Sequence, residues 1–185
     1  PVTFDNLNTG WEEAVKYGPF FKGDLMNRAD VDAAFAQYRP VAVLHFAALS
    51  LVGESMKDPG KYWRVNVMGA LNLIEGAIAA GCLNVVFSST CATYGDQDGV
   101  LLDEDTVQKP INSYGASKRA IEDMLVNFGE SHGLNHVIFR YFNVAGCDPE
   151  GEIGEQHVPE THLIPLMLDA VAGKRPALTV FGSDY

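Results

Sequence analysis

Short apolar runs alternate with helix-like segments along the whole of this chain. The run over residues 41–46, Val-Ala-Val-Leu-His-Phe, is continuous except for one histidine, which is typical of a strand buried on both faces of a parallel sheet. Further strands are predicted over residues 2–4, 20–23, 84–88, 135–139 and 177–181, and helices over residues 28–38, 59–80, 114–132 and 161–172. This alternation predicts an α/β fold built on a doubly wound parallel sheet.

The ends of the predicted helices carry recognisable capping residues. Asn27 precedes the first helix, Pro59 suits a first helical position, and Gly81 and Gly133 follow the last turns of two others. Between these elements, residues 91–112 form a long polar segment without helical or strand periodicity. Loops of that length in compact domains usually have a function or are mobile.

The charge balance limits the classes of partner. The 185 residues carry 13 Lys and Arg against 24 Asp and Glu, a net charge of −11. Such a surface disfavours nucleic acid and anionic membranes, so we expect neither as a partner. Cys82, Cys91 and Cys147 are widely spaced, which favours a reducing cytoplasm over a disulfide framework, and the scattered histidines predict no metal site.

A tyrosine and a lysine one helical turn apart are the strongest chemical signal. Tyr114 and Lys118 lie at the start of a predicted helix and share one face of it, while Thr90 closes the preceding strand. Together they would handle the proton of a secondary alcohol: the tyrosine as acid and base, the lysine to lower its pKa, the threonine to hold the oxygen. The spacing alone is a weak signal, because exposed helix faces often carry both residue types.

Polar residues follow the predicted strands at the edge where such sheets bind ligands. Asp5 can accept both hydroxyls of an adenosine ribose, which favours NAD over NADP, and Asp24 can meet the adenine edge. Ala47 and Ala48 allow a nucleotide to pass close to the backbone, and Asn66 braces a neighbouring loop or faces water. Asp5 and Asp24 also fit ordinary turns, and the alanines also fit tight packing between strand and helix.

One part of a dinucleotide site has no counterpart in the sequence. A glycine-rich turn before a helix normally receives the pyrophosphate, and none follows a predicted strand here. We therefore expect the first strand–turn–helix unit to lie outside this sequence. A non-catalytic protein that binds nucleotide sugars stays open as an alternative.

Short segments spread over the full length match one known family in order. They are Phe4-Asp5-Asn6-Leu7, Gly23-Asp24-Leu25, His45-Phe46-Ala47-Ala48, Val52-Gly53-Glu54-Ser55, residues 87–95, Ser113-Tyr114-Gly115-Ala116-Ser117-Lys118, residues 140–146, His162-Leu163-Ile164-Pro165 and residues 180–185. On these segments the chain resembles the nucleotide-sugar 4-epimerases of the extended short-chain dehydrogenase/reductase family.

The resemblance implies a Rossmann-type, NAD-binding domain over residues 1–145 that lacks its first strand–turn–helix unit. Residues 146–185 would begin a smaller substrate-binding region that interleaves with it. It also implies NAD-dependent epimerisation at C4 of a UDP-hexose, UDP-glucose or UDP-galactose, through a transient 4-keto sugar. A homodimer paired through the helices near residues 59–80 and 114–132 is expected from the same resemblance.

Carried over by position, the family's site residues fall into three overlapping groups. The catalytic residues would be Thr90, Tyr114 and Lys118. The cofactor would contact Asp5, Asn6, Asp24, Leu25, Phe46, Ala47, Ala48, Ser50, Asn66, Ser88, Tyr114, Lys118 and Tyr141. The substrate would contact Thr90, Tyr114, Phe142, Asn143, Thr161, His162 and Leu163.

The sequence departs from the better-known members at several of these positions. Ser50 replaces a lysine, Thr90 replaces a serine, and Thr161-His162 replace a pair of asparagines. A nucleotide-sugar dehydratase would need an acid and a base directly after Thr90, where Cys91 and Ala92 stand. Epimerases that act on UDP-pentoses or UDP-N-acetylhexosamines stay open.

Overall fold

A computed structural model describes residues 1–180 and 182 and contains two parallel sheets. Strands β1 (Thr3–Asp5) and β2 (Phe20–Lys22) pair with each other. Strands β3 (Val43–His45), β4 (Asn84–Thr90) and β5 (Asn135–Tyr141) form the second sheet, with β4 in the centre. The register pairs Thr90 with Tyr141, so both strands end at the same edge. The α/β prediction with parallel strands is confirmed.

The helices begin and end close to the predicted positions. Helix α1 (Arg28–Tyr38) is capped by Asn27, whose side chain accepts from the Ala29 N–H. Helix α5 (Ser113–His132) is capped by Asn112, and Gly133 ends it with a left-handed φ of 70°. Helix α6 (Leu163–Val171) begins two residues later than predicted.

Tertiary contacts change the structure of residues 51–80 from the prediction. Residues predicted as a loop form helix α2 (Val52–Lys57). The Tyr62 hydroxyl lies within hydrogen-bond distance of the Leu51 carbonyl and the Glu54 carboxylate, and these contacts hold the segment against the helix that follows. The predicted helix over residues 59–80 is divided into α3 (Pro59–Tyr62), a π-helical segment (Trp63–Met68) and α4 (Gly69–Ala79).

The predicted strand over residues 177–181 is wrong for residues 177–180, the part of it that the structure describes. Residues 177–180 have no strand pairing, while residue 181 lies outside the described residues, as do residues 183–185 of the second predicted domain. An apolar run forms a strand only when a neighbouring strand offers hydrogen-bond partners, and none lies beside residues 177–180 in the described chain.

Two apolar clusters connect the sheets to the helices. The larger cluster packs α4 and α5 against β4 and β5, through Ala70, Ile74, Val85, Phe87, Ile121, Leu125 and Leu134. The smaller one packs α1 against α4, and Phe4 of β1 and Val43 of β3 both contact it. Leu44 and Val137, on the opposite face of the second sheet, are 62% and 50% exposed. No helix within the described residues is long and apolar enough to cross a membrane.

Candidate functional site

An open cavity lies at the carboxyl edge of the three-stranded sheet. Its volume is about 390 Å³, and the ends of β3, β4 and β5 and the start of α5 all contribute to it. The lining residues are Phe46, Ser88, Ser89, Thr90, Tyr114, Tyr141, Phe142 and Val144. The fold therefore brings together six of the predicted site residues, which come from four separate segments of the chain.

Lys118 lies behind this cavity as a buried cation. Its Nζ donates to the Ser88 carbonyl at 2.9 Å and lies 4.9 Å from the centre of the Phe87 ring and 5.9 Å from that of Tyr114. Burial lowers the pKa of the Lys118 ammonium to about 8. No second hydrogen-bond acceptor for Nζ lies among residues 1–180 and 182, so two of its three donors are available to a ligand.

Burial controls the pKa of Tyr114 in this structure. Burial of the half-buried phenol raises its pKa, Cys91 adds to the rise, and only the contact with the Thr90 hydroxyl lowers it. Lys118 is not among the causes of this shift. The prediction that Lys118 lowers the Tyr114 pKa together with a bound nicotinamide stays a prediction. The helical spacing places the lysine near the tyrosine ring, but it does not bring the ammonium to the phenol oxygen.

His45 lies beneath the same lysine and is 5% exposed. Its ring stacks on Phe87 at 5.5 Å between centroids. Burial is the larger cause and the charge of Lys118 the smaller one, and together they lower the pKa of His45 to about 3. The imidazole is therefore neutral at physiological pH, and it leaves Lys118 as the only charged group of this pair.

Thr90 and Asn66 hold the backbone around the cavity. The Thr90 hydroxyl accepts from the Ala92 N–H at 3.1 Å, which fixes the turn after β4. The Asn66 amide accepts from the Leu49 N–H at 2.8 Å and donates to the Leu49 carbonyl at 3.0 Å and to the Ser117 hydroxyl at 3.2 Å. Asn66 thus braces the loop after β3 against α5, the first of its two predicted roles.

A buried ion pair behind the cavity was not predicted. The Glu122 carboxylate is bound by Arg140 at 2.9 Å, by Gln108 at 2.9 Å and by the Ser89 hydroxyl. Arg140 also donates to the Tyr94 hydroxyl and to the Glu104 carbonyl. This network fastens the long loop over residues 91–112 to β4, β5 and α5. A sequence signal existed, because Glu122 follows Lys118 by one helical turn on the same buried face.

The predicted adenosine contacts form a separate group at the end of the two-stranded sheet. The Asn6 amide donates to the Asp24 carboxylate at 3.2 Å, and Asp5 accepts from the Leu7 N–H at 2.6 Å. The Leu25 carbonyl accepts from Asn72 of α4. These four predicted residues are close in space, but none of them lines the 390 Å³ cavity.

The other predicted residues lie at different distances from the cavity. Phe142 lines it, and the exposed Asn143 follows in the chain. Ala47, Ala48 and Ser50 belong to the loop after β3 and are absent from the lining. Thr161, His162 and Leu163 are exposed at the start of α6 and also lie outside it.

His162 belongs instead to a group of side chains that the sequence analysis missed. Donor atoms of Glu155, His157, Glu160 and His162 all lie within 4.8 Å of one another. The signal in the sequence is the alternation Glu-x-His-x-x-Glu-x-His over residues 155–162.

Comparison with known proteins gives a consistent result. Residues 2–184 match the sequence profile of the NAD dependent epimerase/dehydratase family. The chain is 52% identical to the UDP-glucose 4-epimerase of Rhizobium meliloti over 185 residues, which is 100% of this chain and 56% of that protein. The chain thus spans little more than half the length of this curated relative.

Solved structures agree with the sequence relatives. The crystal structure of UDP-glucose 4-epimerase from Brucella ovis in complex with NAD superposes with a TM-score of 0.96 at 46% identity, covering 100% of this chain and 57% of that one. The UDP-Glc/GlcNAc 4-epimerase of Campylobacter jejuni superposes with a TM-score of 0.81 at 36% identity, covering 100% and 58%.

Proposed function

Because the chain belongs to the NAD dependent epimerase/dehydratase family, we propose that the complete protein interconverts UDP-glucose and UDP-galactose at C4 with NAD as its cofactor. The observation that carries this proposal is the cavity at the carboxyl ends of β3, β4 and β5, which Thr90 and Tyr114 line and behind which the buried Lys118 donates to Ser88. Ligands of such sheets bind at this edge.

The residues around the cavity fit a nicotinamide nucleotide. Lys118 has two unused donors at the rear of the cavity, which suit the hydroxyls of a ribose. Phe46 and Tyr141 offer aromatic faces beside it, and Asp5 offers a carboxylate at the end of β1 for the second ribose. Tyr114 and Lys118 would hold the nicotinamide end, and Asp5, Asn6, Asp24 and Leu25 the adenosine end.

The chain's own residues would move the proton and hold the sugar. Bound NAD would supply the site with an acceptor and donor of hydride for C4 of the sugar. Tyr114 takes the proton of the 4′-hydroxyl and gives it back, while Thr90 hydrogen-bonds the same oxygen. Phe142 and Asn143, together with residues 161–163, would face the UDP-sugar.

A base role for Tyr114 requires its pKa to fall when ligands bind, because burial raises it in the ligand-free arrangement. A bound nicotinamide would bring its positive charge to the cavity beside the phenol, which would favour the phenolate. Ultraviolet titration of phenolate, taken as the difference between the protein and a Tyr114→Phe variant, measures this directly. We expect the Tyr114 transition to occur at a lower pH with NAD than without it.

Conversion of UDP-galactose to UDP-glucose by the complete protein tests the catalytic assignment. Tyr114→Phe should lower turnover by about 10²–10⁴, the usual contribution of a positioned acid–base group. Tyr17→Phe makes the same chemical change on an exposed residue outside the cavity and should leave turnover unchanged. Near-normal turnover in Tyr114→Phe would contradict the proposed mechanism.

A second variant separates the contribution of the charge. Lys118→Ala should reduce activity most at neutral pH and recover part of it at higher pH, because the phenol then reaches its ionised form without help from the ammonium. An equal loss of activity at every pH would assign Lys118 to binding alone.

The choice of sugar is the part of this proposal with a specific competitor. The Campylobacter jejuni relative is named for both glucose and N-acetylglucosamine forms, so a UDP-N-acetylhexosamine is the second candidate substrate. Parallel assays with UDP-galactose, UDP-N-acetylgalactosamine and a UDP-pentose discriminate these possibilities. Bound NAD without turnover of any of them would favour the non-catalytic binding protein.

Three further proposals concern organisation. Residues 1–145 form the cofactor-binding domain, and residues 146–185 begin the substrate-binding region.

The three free cysteines support a reducing, cytoplasmic setting. Exposed apolar side chains on the predicted pairing helices, Trp63 of the π-helical segment and Val126 of α5, support a homodimer. Analytical ultracentrifugation tests the last, and Val126→Glu should shift the mass from dimer to monomer.

A further inference from the structure

Glu155, His157, Glu160 and His162 converge on one point of the segment that precedes α6. The His162 Nδ1 atom lies 3.0 Å from Glu155 Oε1 and 2.9 Å from Glu160 Oε1. The His157 Nδ1 atom lies 3.3 Å from Glu155 Oε1 and 4.0 Å from Glu160 Oε2. Both imidazoles therefore direct a nitrogen at the same carboxylates.

These distances suit a small tetrahedral ion. Zn²⁺ binds imidazole nitrogen and carboxylate oxygen at about 2.0–2.2 Å, which places neighbouring ligand atoms roughly 3.3 Å apart. The four nitrogen–oxygen distances, 2.9 to 4.0 Å, bracket that separation. All donor atoms lie within 4.8 Å of one another, so small side-chain rotations would complete the coordination shell.

The cluster offers a metal ion nitrogen and oxygen ligands around one point. The two imidazole rings lie 4.6 Å apart between centroids. A single divalent ion would balance both carboxylates and use both nitrogens at once. Two imidazoles and two carboxylates form a nitrogen–oxygen ligand set that suits zinc better than calcium or magnesium.

The backbone already holds part of the segment in place. Glu160 Oε1 accepts from the backbone N–H groups of Thr161 and His162 at 2.7 and 2.8 Å. The Trp11 indole donates to the carbonyl of Gln156, between the first two ligands. Ligands held in this way lose less conformational freedom when an ion binds.

We propose that Glu155, His157, Glu160 and His162 bind one Zn²⁺ ion and thereby fix the start of α6. The ion would hold His162 next to Thr161 and Leu163, which are predicted to face the UDP-sugar. Zinc occupancy would then set the position of these substrate contacts. The site rests on the four side chains alone, so it stands independently of the proposed epimerase activity.

Co²⁺ titration of the complete, metal-stripped protein, followed by visible absorption, tests the proposal. We expect one Co²⁺ per chain, with the intense bands of a four-coordinate ion, displaced by one equivalent of Zn²⁺. His157→Gln and Glu155→Gln should each weaken binding by roughly tenfold or more. Because both residues are exposed, these variants should fold normally, which circular dichroism checks.

His132→Gln is the matched control, since His132 is also exposed but lies at the far end of α5. It should bind Co²⁺ as the unaltered protein does. The proposal is overturned if no stoichiometric binding is seen, or if the bands are the weak ones of a six-coordinate ion. Unchanged affinity in both His157→Gln and Glu155→Gln would overturn it as well.

Discussion

Folding stability of this protein should depend on pH through His45. The imidazole is neutral in the folded state down to a pKa of about 3, whereas it titrates near 6.5 when the chain unfolds. Since the folded-state pKa is the lower one, the unfolded chain binds the additional proton as the pH falls. The stability that a neutral His45 provides is therefore complete above pH 6.5 and is lost between 6.5 and 3.

The size of this loss follows from the two pKa values. Each pH unit below the unfolded-state value costs about 1.4 kcal/mol, so lowering the pH from 7 to 5 should cost about 2 kcal/mol through this one residue. Replacement by a side chain that does not titrate should remove this dependence. His45→Gln also loses the stacking on Phe87. That loss of stability is nearly the same at every pH, so it cancels when the difference between the two proteins is compared at two pH values.

Urea unfolding at pH 7 and pH 5 measures the effect. The free-energy difference between the unaltered protein and His45→Gln should move by about 2 kcal/mol in favour of the variant at the lower pH. Parallel pH dependences for the unaltered protein and His45→Gln would refute the reasoning, since they would mean that His45 is protonated in the folded state.

The charge of Lys118 provides a further check, because it is the second cause of the low His45 pKa. In Lys118→Met the His45 pKa should rise, and the loss of stability should end at a higher pH. If the loss of stability at low pH is unchanged in this variant, burial alone accounts for the low His45 pKa.

Other predictions concern packing and the remaining buried charges. Arg140→Ala should lower the free energy of unfolding, measured with urea, by about 3–5 kcal/mol, because it leaves the Glu122 carboxylate buried without its cation. Adding Glu122→Gln to the same chain should restore part of this loss. Gly115→Ala should lower the free energy of unfolding by more than about 1 kcal/mol, because its Cβ would lie 2.4 Å from a backbone carbonyl oxygen. Gly53→Ala lies in a helix and its Cβ would have nothing within 4 Å, so this variant should raise the free energy of unfolding by about 0.5–1 kcal/mol. Burial lowers the folded-state pKa of Lys118 to about 8 from its ordinary value of 10.5, so the free energy of unfolding should rise by about 3 kcal/mol as the pH rises through this window. Lys118→Met should show no such rise, and equal slopes in the two proteins would contradict the burial of the Lys118 ammonium.

The site could be predicted in part because its chemistry depends on short spacings. Tyr114 and Lys118 share a helix face, and Thr90 ends the adjacent strand, so their placement around one cavity follows from local periodicity and from the parallel sheet. The pKa of Tyr114 could not be predicted in this way. Its direction depends on how much water the surrounding chain excludes, which no spacing records.

Contacts between distant segments account for the features that were missed. Helix α2 forms where the sequence favours a loop, because Tyr62 reaches back to Leu51 and Glu54. Arg140 of β5 binds Glu122 of α5, and neither residue type predicts the other from its position in the chain. Such pairs carry no periodic signal.

The order of the five strands, their parallel arrangement and the position of the tyrosine–lysine pair were determined by the sequence alone. They depend on hydrophobic periodicity and capping, which act over a few residues and can be read along the chain. Only the tertiary structure decided which buried groups are charged, how the long loop is fastened and which side chains face the cavity. Desolvation and ion pairing depend on neighbours in space, and those neighbours are distant in the sequence.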